Sequence, residues 1–288
     1  PALQAALSFP SGLALLPDGS LLIADAGNNR VRRLFNGEVT TFAGNGSFGY
    51  NGDGIAPAAA SVTNPSDVVA DAAGNVFIAD NGNCRIRFVA AQSNLIATLS
   101  GNGGCGSTGN GGPASDAKLN GPSHLALRNG VLYLVESLAP RVRRIDLDLP
   151  GGVISLAAGT GFNGSSGDGG LATQARIDAP SGLAVDAQQR LLIGETGTRR
   201  VRRVSQGVIA SIIGQANGDG FQAARAEIDP KGIARNSNGV LLVADASNNR
   251  VRRIPASLSP VSSAAGTGVF GFGGDGGPAT LALLASPH

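Results

Sequence analysis

The sequence predicts an all-β fold made of repeated units, and three observations support that class. The chain has 288 residues with 44 glycines and 4% aromatic residues, a composition typical of many tight turns around an aliphatic core. Short β-favouring runs alternate with turn residues, without any long helical pattern. The same pattern returns every 50 to 58 residues, each time after a proline: Pro10, Pro65, Pro122, Pro180 and Pro230.

Each repeat predicts four short strands. In the first repeat the β-favouring runs are Leu13 to Leu16, Leu21 to Ala24, Val31 to Leu34 and Val39 to Phe42. Four antiparallel strands per repeat are typical of a β-propeller blade. We therefore expect a single domain over residues 1–288 with five blades, at approximately residues 10–64, 65–121, 122–179, 180–229 and 230–286; a sixth blade would need material from another chain.

The repeated motifs resemble those of a known family. "GLAVD" begins at Gly182, "NNRVRR" stands at 28–33 and again at 248–253, and "GDGGPAT" begins at Gly274. Together they resemble the NHL-repeat β-propellers, especially bacterial and extracellular members with long glycine-rich connections. The resemblance covers essentially the whole chain, and it implies a fold rather than a function.

The antiparallel order of the strands predicts where binding residues lie. The turn between the second and third strands and the connection to the next blade share one face, which we call the long-loop face, and the connections run to about twenty residues. Exposed loops on a rigid scaffold commonly carry function. We expect aromatic residues of these loops to contact a partner, although they could instead cover the blade junctions: Phe48, Tyr50, Phe162, Phe270 and Phe272.

Charged residues flank the turn between the second and third strands of every repeat. A carboxylate ends the second strand and an arginine begins the third, so we expect structural ion pairs. The expected pairs are Asp25 with Arg30, Asp80 with Arg85, Glu136 with Arg141, Glu195 with Arg200, and Asp245 with Arg250. The later arginines alternate around Val31, so at least one of Arg32 and Arg33 should face solvent or a neighbouring blade.

Both cysteines fall on the long-loop face beside the second blade. Cys84 lies in the turn between strands and Cys105 in the following connection. We expect a disulfide rather than two free thiols, which would place the protein outside the cytosol, secreted or at the cell surface. The first residues lack a signal peptide and the chain contains no methionine, so we interpret it as a mature form.

Several motifs invite a chemical role that the sequence does not support. Four G-x-G-x-x-G matches lack the following helix of a dinucleotide site, and no cofactor is expected. The single internal histidine, His124, is too little for a metal site, and no metal is expected. The carboxylates of the "GDGG"-type loops are interpreted as turn-forming residues rather than calcium ligands: Asp53, Asp168, Asp219 and Asp275.

These observations favour a non-catalytic scaffold for protein or glycan contacts. The net charge of +2 and the scarcity of aromatics argue against RNA binding through the arginine clusters, which stays an alternative. A second alternative function is that of an extracellular hydrolase or lyase acting at the central channel. The segment Pro278 to Pro287 repeats the pattern of Pro1 to Pro10, which suggests that Gly266 to His288 links copies into a homo-oligomer or filament. No membrane span is predicted.

Overall fold

The protein is built from five four-stranded antiparallel sheets, as expected for an all-β propeller. They are seen in a computed structural model, which describes residues 1–214, 228–236, 238–258 and 260–288. In every sheet the strands pair in chain order, and every sheet begins at the proline of a repeat. The predicted fold class of five four-stranded blades is therefore confirmed. The single domain over residues 1–288 stays a prediction.

The strands follow the chain from blade to blade. The first three blades are β1 (Pro10–Leu15), β2 (Leu21–Asp25), β3 (Arg30–Phe35), β4 (Glu38–Ala43), β5 (Pro65–Ala70), β6 (Val76–Asp80), β7 (Arg85–Val89), β8 (Ile96–Ser100), β9 (Pro122–Arg128), β10 (Val131–Glu136), β11 (Arg141–Asp146) and β12 (Val153–Ala158). The last two are β13 (Pro180–Val185), β14 (Leu191–Glu195), β15 (Arg200–Ser205), β16 (Val208–Ile213), β17 (Pro230–Arg235), β18 (Leu241–Asp245), β19 (Arg250–Ile254) and β20 (Ser262–Ala265).

Between these strands the helical segments of the described residues are short 3-10 turns. Each is three residues long: Ala2–Gln4, Ala26–Asn28, Pro57–Ala59, Asn81–Asn83, Ala114–Asp116, Ala172–Gln174, Ala246–Asn248 and Ala279–Leu281. The first strand of the first blade begins three residues earlier than predicted. Its pairing with β2 shifts between Pro10 and Leu13, and such an irregularity hides the strand's start from a simple alternation pattern.

The chain forms two compact units. The first comprises Pro1–Ala139 with Arg143–Leu156. Its core shows the two-residue period of a strand buried on both faces: Val76 and Ile78 of β6 pack with the first blade, whereas Phe77 and Ala79 pack with the third. A blade between two others therefore buries both faces in aliphatic side chains.

The second unit comprises Pro140–Val142 with Ala157–His288. Its core joins the fourth and fifth blades, where Leu192 and Val201 pack against Leu241 and Val243. In both units the connections follow the last strand of a sheet and therefore begin at an end of that sheet.

Candidate binding face

Each connection between blades starts by folding tightly over the preceding blade. At Gly44 the backbone φ is +89°, and an added Cβ would lie 2.4 Å from Asn29 O, so only glycine fits. Two residues later, a Cβ on Gly46 would lie 2.7 Å from Nη2 of Arg30. The first G-x-G of the G-x-G-x-x-G motif is thus required for close packing of the loop and an arginine.

In four blades the first arginine of the cluster holds the following connection through a backbone carbonyl. Arg30 Nη2 donates to Asn45 O at 3.0 Å, and Arg85 Nη2 donates to Asn102 O at 3.3 Å. Two further arginines do the same in later blades: Arg141 donates to Thr160 O, and Arg250 to Thr267 O. These arginines fasten the long loops to the blades.

In the first two blades, the partners of the carboxylates differ from the predicted ion pairs. Asp25 and Arg30 are direct partners across β2 and β3, yet Asp25 instead accepts hydrogen bonds from Ser8 N and Asn28 Nδ2. Likewise Asp80 accepts from Thr63 N and Asn83 Nδ2. Among the five predicted pairs, the structure places Arg200 Nε 2.9 Å from Glu195 Oε2.

In the second to fifth blades, the second arginine of the cluster is the buried partner of the carboxylate. The guanidinium lies 3.3 to 3.6 Å from the carboxylate in four blades, with both side chains almost completely buried. These pairs are Arg87 with Asp80, Arg143 with Glu136, Arg202 with Glu195, and Arg252 with Asp245. Burial, opposed by hydrogen bonds from Thr63 and Asn83 and by the charge of Arg87, raises the pKa of Asp80 to about 6.

The connection loops add a second carboxylate to two of these arginines. Asp53 Oδ1 lies 3.0 Å from Arg87 Nη2, and Asp168 Oδ1 lies 2.6 Å from Arg202 Nη2. Partial burial acts to raise the pKa of Asp168, but hydrogen bonds from Ser211 and Arg202 lower it overall. The interpretation of Asp53 and Asp168 as simple turn formers was therefore incomplete. Asp219 lies outside the described residues.

The third blade shows that a carbonyl can replace this carboxylate. Asn110 stands where the other loops carry aspartate. Arg143 there donates to Thr108 O at 3.1 Å and to Lys118 O at 3.2 Å. In the second, third and fourth blades the buried arginine thus binds the preceding connection, through a carboxylate in two blades and through a carbonyl in one.

The loop aromatics fall into two groups. Tyr50 lies over Arg85 and Arg87, with guanidinium carbons 3.9 and 4.8 Å from the ring centroid, so it covers the buried arginine. Phe48 is 81% exposed and Phe272 is 88% exposed. Phe162 and Phe270 are also exposed. Four of the five predicted aromatics therefore present their rings to solvent.

The predicted disulfide is confirmed. Cys84 and Cys105 are bonded, with their Cα atoms 5.4 Å apart. Cys84 occupies the left-handed position taken by Asn29 in the first blade and Asn249 in the fifth. Both asparagines accept a hydrogen bond from the end of the following connection, at Asn64 N and Ser286 N. In the second blade a covalent bond to the connection stands in place of that hydrogen bond.

An acidic residue that the sequence did not indicate lies on the first strand of the second blade. Asp67 accepts hydrogen bonds from Val68 N at 2.8 Å and Leu125 N at 2.7 Å. Burial raises its pKa to about 7, against these hydrogen bonds. His124 has Nδ1 3.2 Å from Ser123 Oγ. No group of three or more metal-ligating side chains occurs among the described residues.

The raised pKa of Asp67 predicts a pH-dependent stability. Between pH 3.8 and about 7 the folded protein keeps a proton that the unfolded chain releases, so the free energy of unfolding should fall as the pH rises. Asp67→Asn, which stays neutral, should gain on the order of 2 kcal/mol relative to wild type between pH 4 and 8. Denaturant titrations across this range measure it, with the exposed Asp116→Asn as control. Parallel pH curves for wild type and Asp67→Asn would contradict the assignment.

Comparison with known proteins agrees with the repeat pattern. The NHL repeat family model matches residues 7–34 and 228–254, which are corresponding parts of the first and fifth blades. The first and fifth blades therefore contain NHL repeats. NHL repeat-containing protein 2 of Gallus gallus is 32% identical over 107 residues, which cover 37% of this chain and 14% of that protein.

A longer match extends over most of the chain. Protein SUPPRESSOR OF QUENCHING 1, chloroplastic, of Arabidopsis thaliana is 26% identical over 268 residues, covering 87% of this chain and 25% of that protein. The chain therefore spans a quarter or less of both relatives. No helix in the described residues is long and apolar enough to cross a membrane.

Solved structures of the same fold have different roles. A chain of a nidogen/laminin complex matches with a TM-score of 0.61 and 16% identity, covering 89% of this chain and 80% of that one. A streptogramin B lyase gives 0.58 and 16%, covering 91% and 70%. A gluconolactonase from Xanthomonas campestris gives 0.60 and 16%, covering 89% and 75%. At these identities the likeness shows the fold alone.

Proposed function

We propose that this protein is a non-catalytic binding scaffold that works outside the cytosol and takes a partner on its long-loop face. One observation carries the proposal: exposed phenylalanines project from loops that arginines, close-packed glycines and a disulfide hold in place. Rigid loops lose little conformational entropy on binding, so apolar rings on them are effective anchors. The disulfide supports an oxidising location.

A protein is favoured over a glycan as the partner. Phenylalanine offers apolar area without a hydrogen-bonding group, and buried aromatic anchors dominate many protein interfaces. Phe270 and Phe272 lie close together in the chain beside the exposed Val269. This cluster provides an apolar centre for such an interface. One of the similar structures is itself a complex between proteins.

The test compares two serine variants with equal numbers of substitutions. Peptides selected from a random phage-displayed library against wild type should bind the loop variant at least about tenfold more weakly, because hot-spot aromatics each contribute 2 kcal/mol or more. The loop variant changes Phe48, Phe162, Phe270 and Phe272. The control variant changes exposed apolar residues at or beside the turns between third and fourth strands: Phe35, Leu95, Leu149 and Val208.

Three results would overturn the proposal. Selection could yield no binders, or binders that hold the loop variant as tightly as wild type. Turnover of glucono-δ-lactone by wild type would instead favour the enzymatic alternative that the lyase and gluconolactonase likenesses suggest. A glycan array probed with the same two variants distinguishes a glycan partner from a protein one.

A further inference from the structure

A groove lies between the second and third blades, on the face opposite the long-loop face. The turn from β5 to β6 forms one wall, with Ala70 and Asp71, and the turn from β9 to β10 forms the other, with Leu127 and Arg128. Its volume is about 260 Å³, near the lower end of the range of roughly 300 to 1,000 Å³ found for small-molecule sites. All of its lining residues belong to the first compact unit. The groove therefore has room for a small ligand.

Arg128 lines this groove with a guanidinium that has no partner. Its Nε is buried without a hydrogen bond, so the guanidinium lies against the wall of the groove rather than extending into solvent. The terminal nitrogens are not buried, and within the described part of the chain no carboxylate or carbonyl bonds to them. These nitrogens are free to bind a carboxylate, the group that a guanidinium binds most strongly.

The short turn of the third blade explains why Arg128 is free. In the second blade the equivalent residue, Asp71, closes a longer turn, where its Oδ1 accepts hydrogen bonds from Ala73 N at 2.9 Å and Asn75 N at 2.8 Å. In the third blade Arg128 and Val131 are direct partners across β9 and β10, and both residues between them have positive φ, as in a type I′ hairpin. This turn closes without a capping side chain, so position 128 has no structural role in it.

The neighbouring groove, between the first and second blades, differs in its charges. It has a volume of about 290 Å³ and is lined by Asp18 and Arg33. These two side chains form an ion pair with each other, so the cation of that groove already has its partner. Arg128 and Asp71, both within the described residues, line one groove without forming an ion pair. Two opposite charges are therefore left apart in a space that a ligand can enter.

The acidic side chains near Arg128 indicate the class of ligand. Asp71 Oδ2 accepts a hydrogen bond from Asn75 Nδ2 at 2.7 Å, which leaves it able to accept another. Asp148 lies beside the groove, where an added Cβ on Gly130 would come within 2.5 Å of its Oδ2. A simple anion would bind Arg128 but would be repelled by these carboxylates. A ligand that carries both an ammonium and a carboxylate matches both charges.

We propose that this groove binds a zwitterionic α-amino acid with an apolar side chain, whose carboxylate bonds to Arg128 and whose ammonium bonds to Asp71. The apolar side chain would contact Leu127 and Leu147, which are half-buried in the lining of the groove. Removing this apolar area from water adds to the affinity. The site lies on the other face from the loop phenylalanines and uses none of them, so it goes beyond the proposed partner binding and either proposal can fail alone.

The test is a titration of the full chain with L-leucine and, separately, with L-phenylalanine. It is followed through the NMR signals of the arginine Nε–H groups, among which the Arg128 signal is identified by its loss in Arg128→Gln. Wild type should show saturable binding that shifts this signal. L-leucinamide lacks the carboxylate and N-acetyl-L-leucine lacks the ammonium. Each should bind at least about tenfold more weakly than L-leucine, because each loses one charge-assisted contact.

Two variants test the two contacts separately. Arg128→Gln and Asp71→Asn should each weaken the binding of L-leucine at least about tenfold. Asparagine preserves the turn at position 71, since Asn236 at the equivalent position of the fifth blade accepts a hydrogen bond from Val240 N at 3.0 Å through its Oδ1. The second variant therefore removes the charge and keeps the shape of the groove.

Charge-matched controls show whether any effect belongs to the groove. Arg253→Gln and Asp116→Asn, at exposed positions outside it, should bind L-leucine like wild type. Circular dichroism melts establish that each variant is folded. If Arg128→Gln fails to fold, Arg128→Met replaces it, because methionine keeps an unbranched apolar side chain and also lacks the Nε–H signal.

Three results would overturn the proposal. Wild type could show no saturable binding up to the solubility limits of L-leucine and L-phenylalanine. Either groove variant could bind L-leucine as tightly as wild type does. N-acetyl-L-leucine could bind as tightly as L-leucine, which would show a site for simple anions instead of a zwitterion.

Discussion

Replacing Arg202 with methionine is expected to lower the free energy of unfolding by about 3 to 5 kcal/mol. The Arg202 guanidinium is completely buried, with Nη1 3.4 Å from Glu195 Oε1, and it also donates to Arg176 O and Ser166 O. Methionine would fill part of the volume but would leave Glu195 buried with one cation fewer. Removing one partner of a buried ion pair lowers the free energy of unfolding by more than the intact pair adds to it, because an uncompensated buried charge remains.

Chemical denaturation of Arg202→Met measures this effect, with Arg253→Met as the matched control. Arg253 is the next residue along after Arg252 in the fifth blade, and its side chain is exposed, so its replacement should change stability by no more than about 0.5 kcal/mol. A double variant in which Glu195 also becomes glutamine should recover part of the loss, because the remaining buried charge is removed. Equal effects at Arg202 and Arg253 would refute the structural role of the buried arginine.

Removing the disulfide is expected to cost about 3 kcal/mol. The bond closes a loop between positions 21 residues apart and ties the second connection to its blade. Cys84→Ser with Cys105→Ser should therefore unfold at lower denaturant concentration than wild type. The loss should match that of wild type measured under a reductant, because both changes open the same loop.

A control separates loop closure from the left-handed backbone at this position. Cys84→Asn with Cys105→Ser places asparagine where Asn29 and Asn249 stand with φ near +50°. It should recover part of the stability, since asparagine tolerates this conformation and can accept the hydrogen bond that fastens the other connections. A variant without the disulfide that is as stable as wild type would show that the loop is held by other contacts.

The repeat architecture could be predicted from sequence because every blade carries the same pattern of strands and turns. The strand runs, the turns and the opening proline recur five times, so errors in a single repeat are averaged out. The disulfide was predictable for a related reason: the antiparallel order places Cys84 and Cys105 on one face without any knowledge of distances. Such inferences depend on topology, which the periodic pattern determines.

The arginine contacts could not be assigned in the same way. Asp80 and Arg85 are adjacent across a turn and are direct partners in the sheet, so sequence proximity suggests that they pair. Side chains two residues apart on a strand share a face, which lets Arg87 take the buried position while Arg85 reaches toward the connection. The contact from Asp53 to Arg87 joins residues 34 positions apart, and no local pattern marks it.

The connections that carry Asp53 and Asp168 bind the blade that follows them, and this contact distinguishes two choices of repeat boundary. A segment that runs from one opening proline to the next contains one complete sheet. It separates Asp53 from Arg87, and Asp168 from Arg202. A segment cut at the start of a connection, such as residues 44–100, keeps Asp53 together with Arg87 and the edge of β8. A segment of the second kind carries both an aspartate and the arginine that binds it, so the structural unit that contains this contact is offset from the four-stranded sheet.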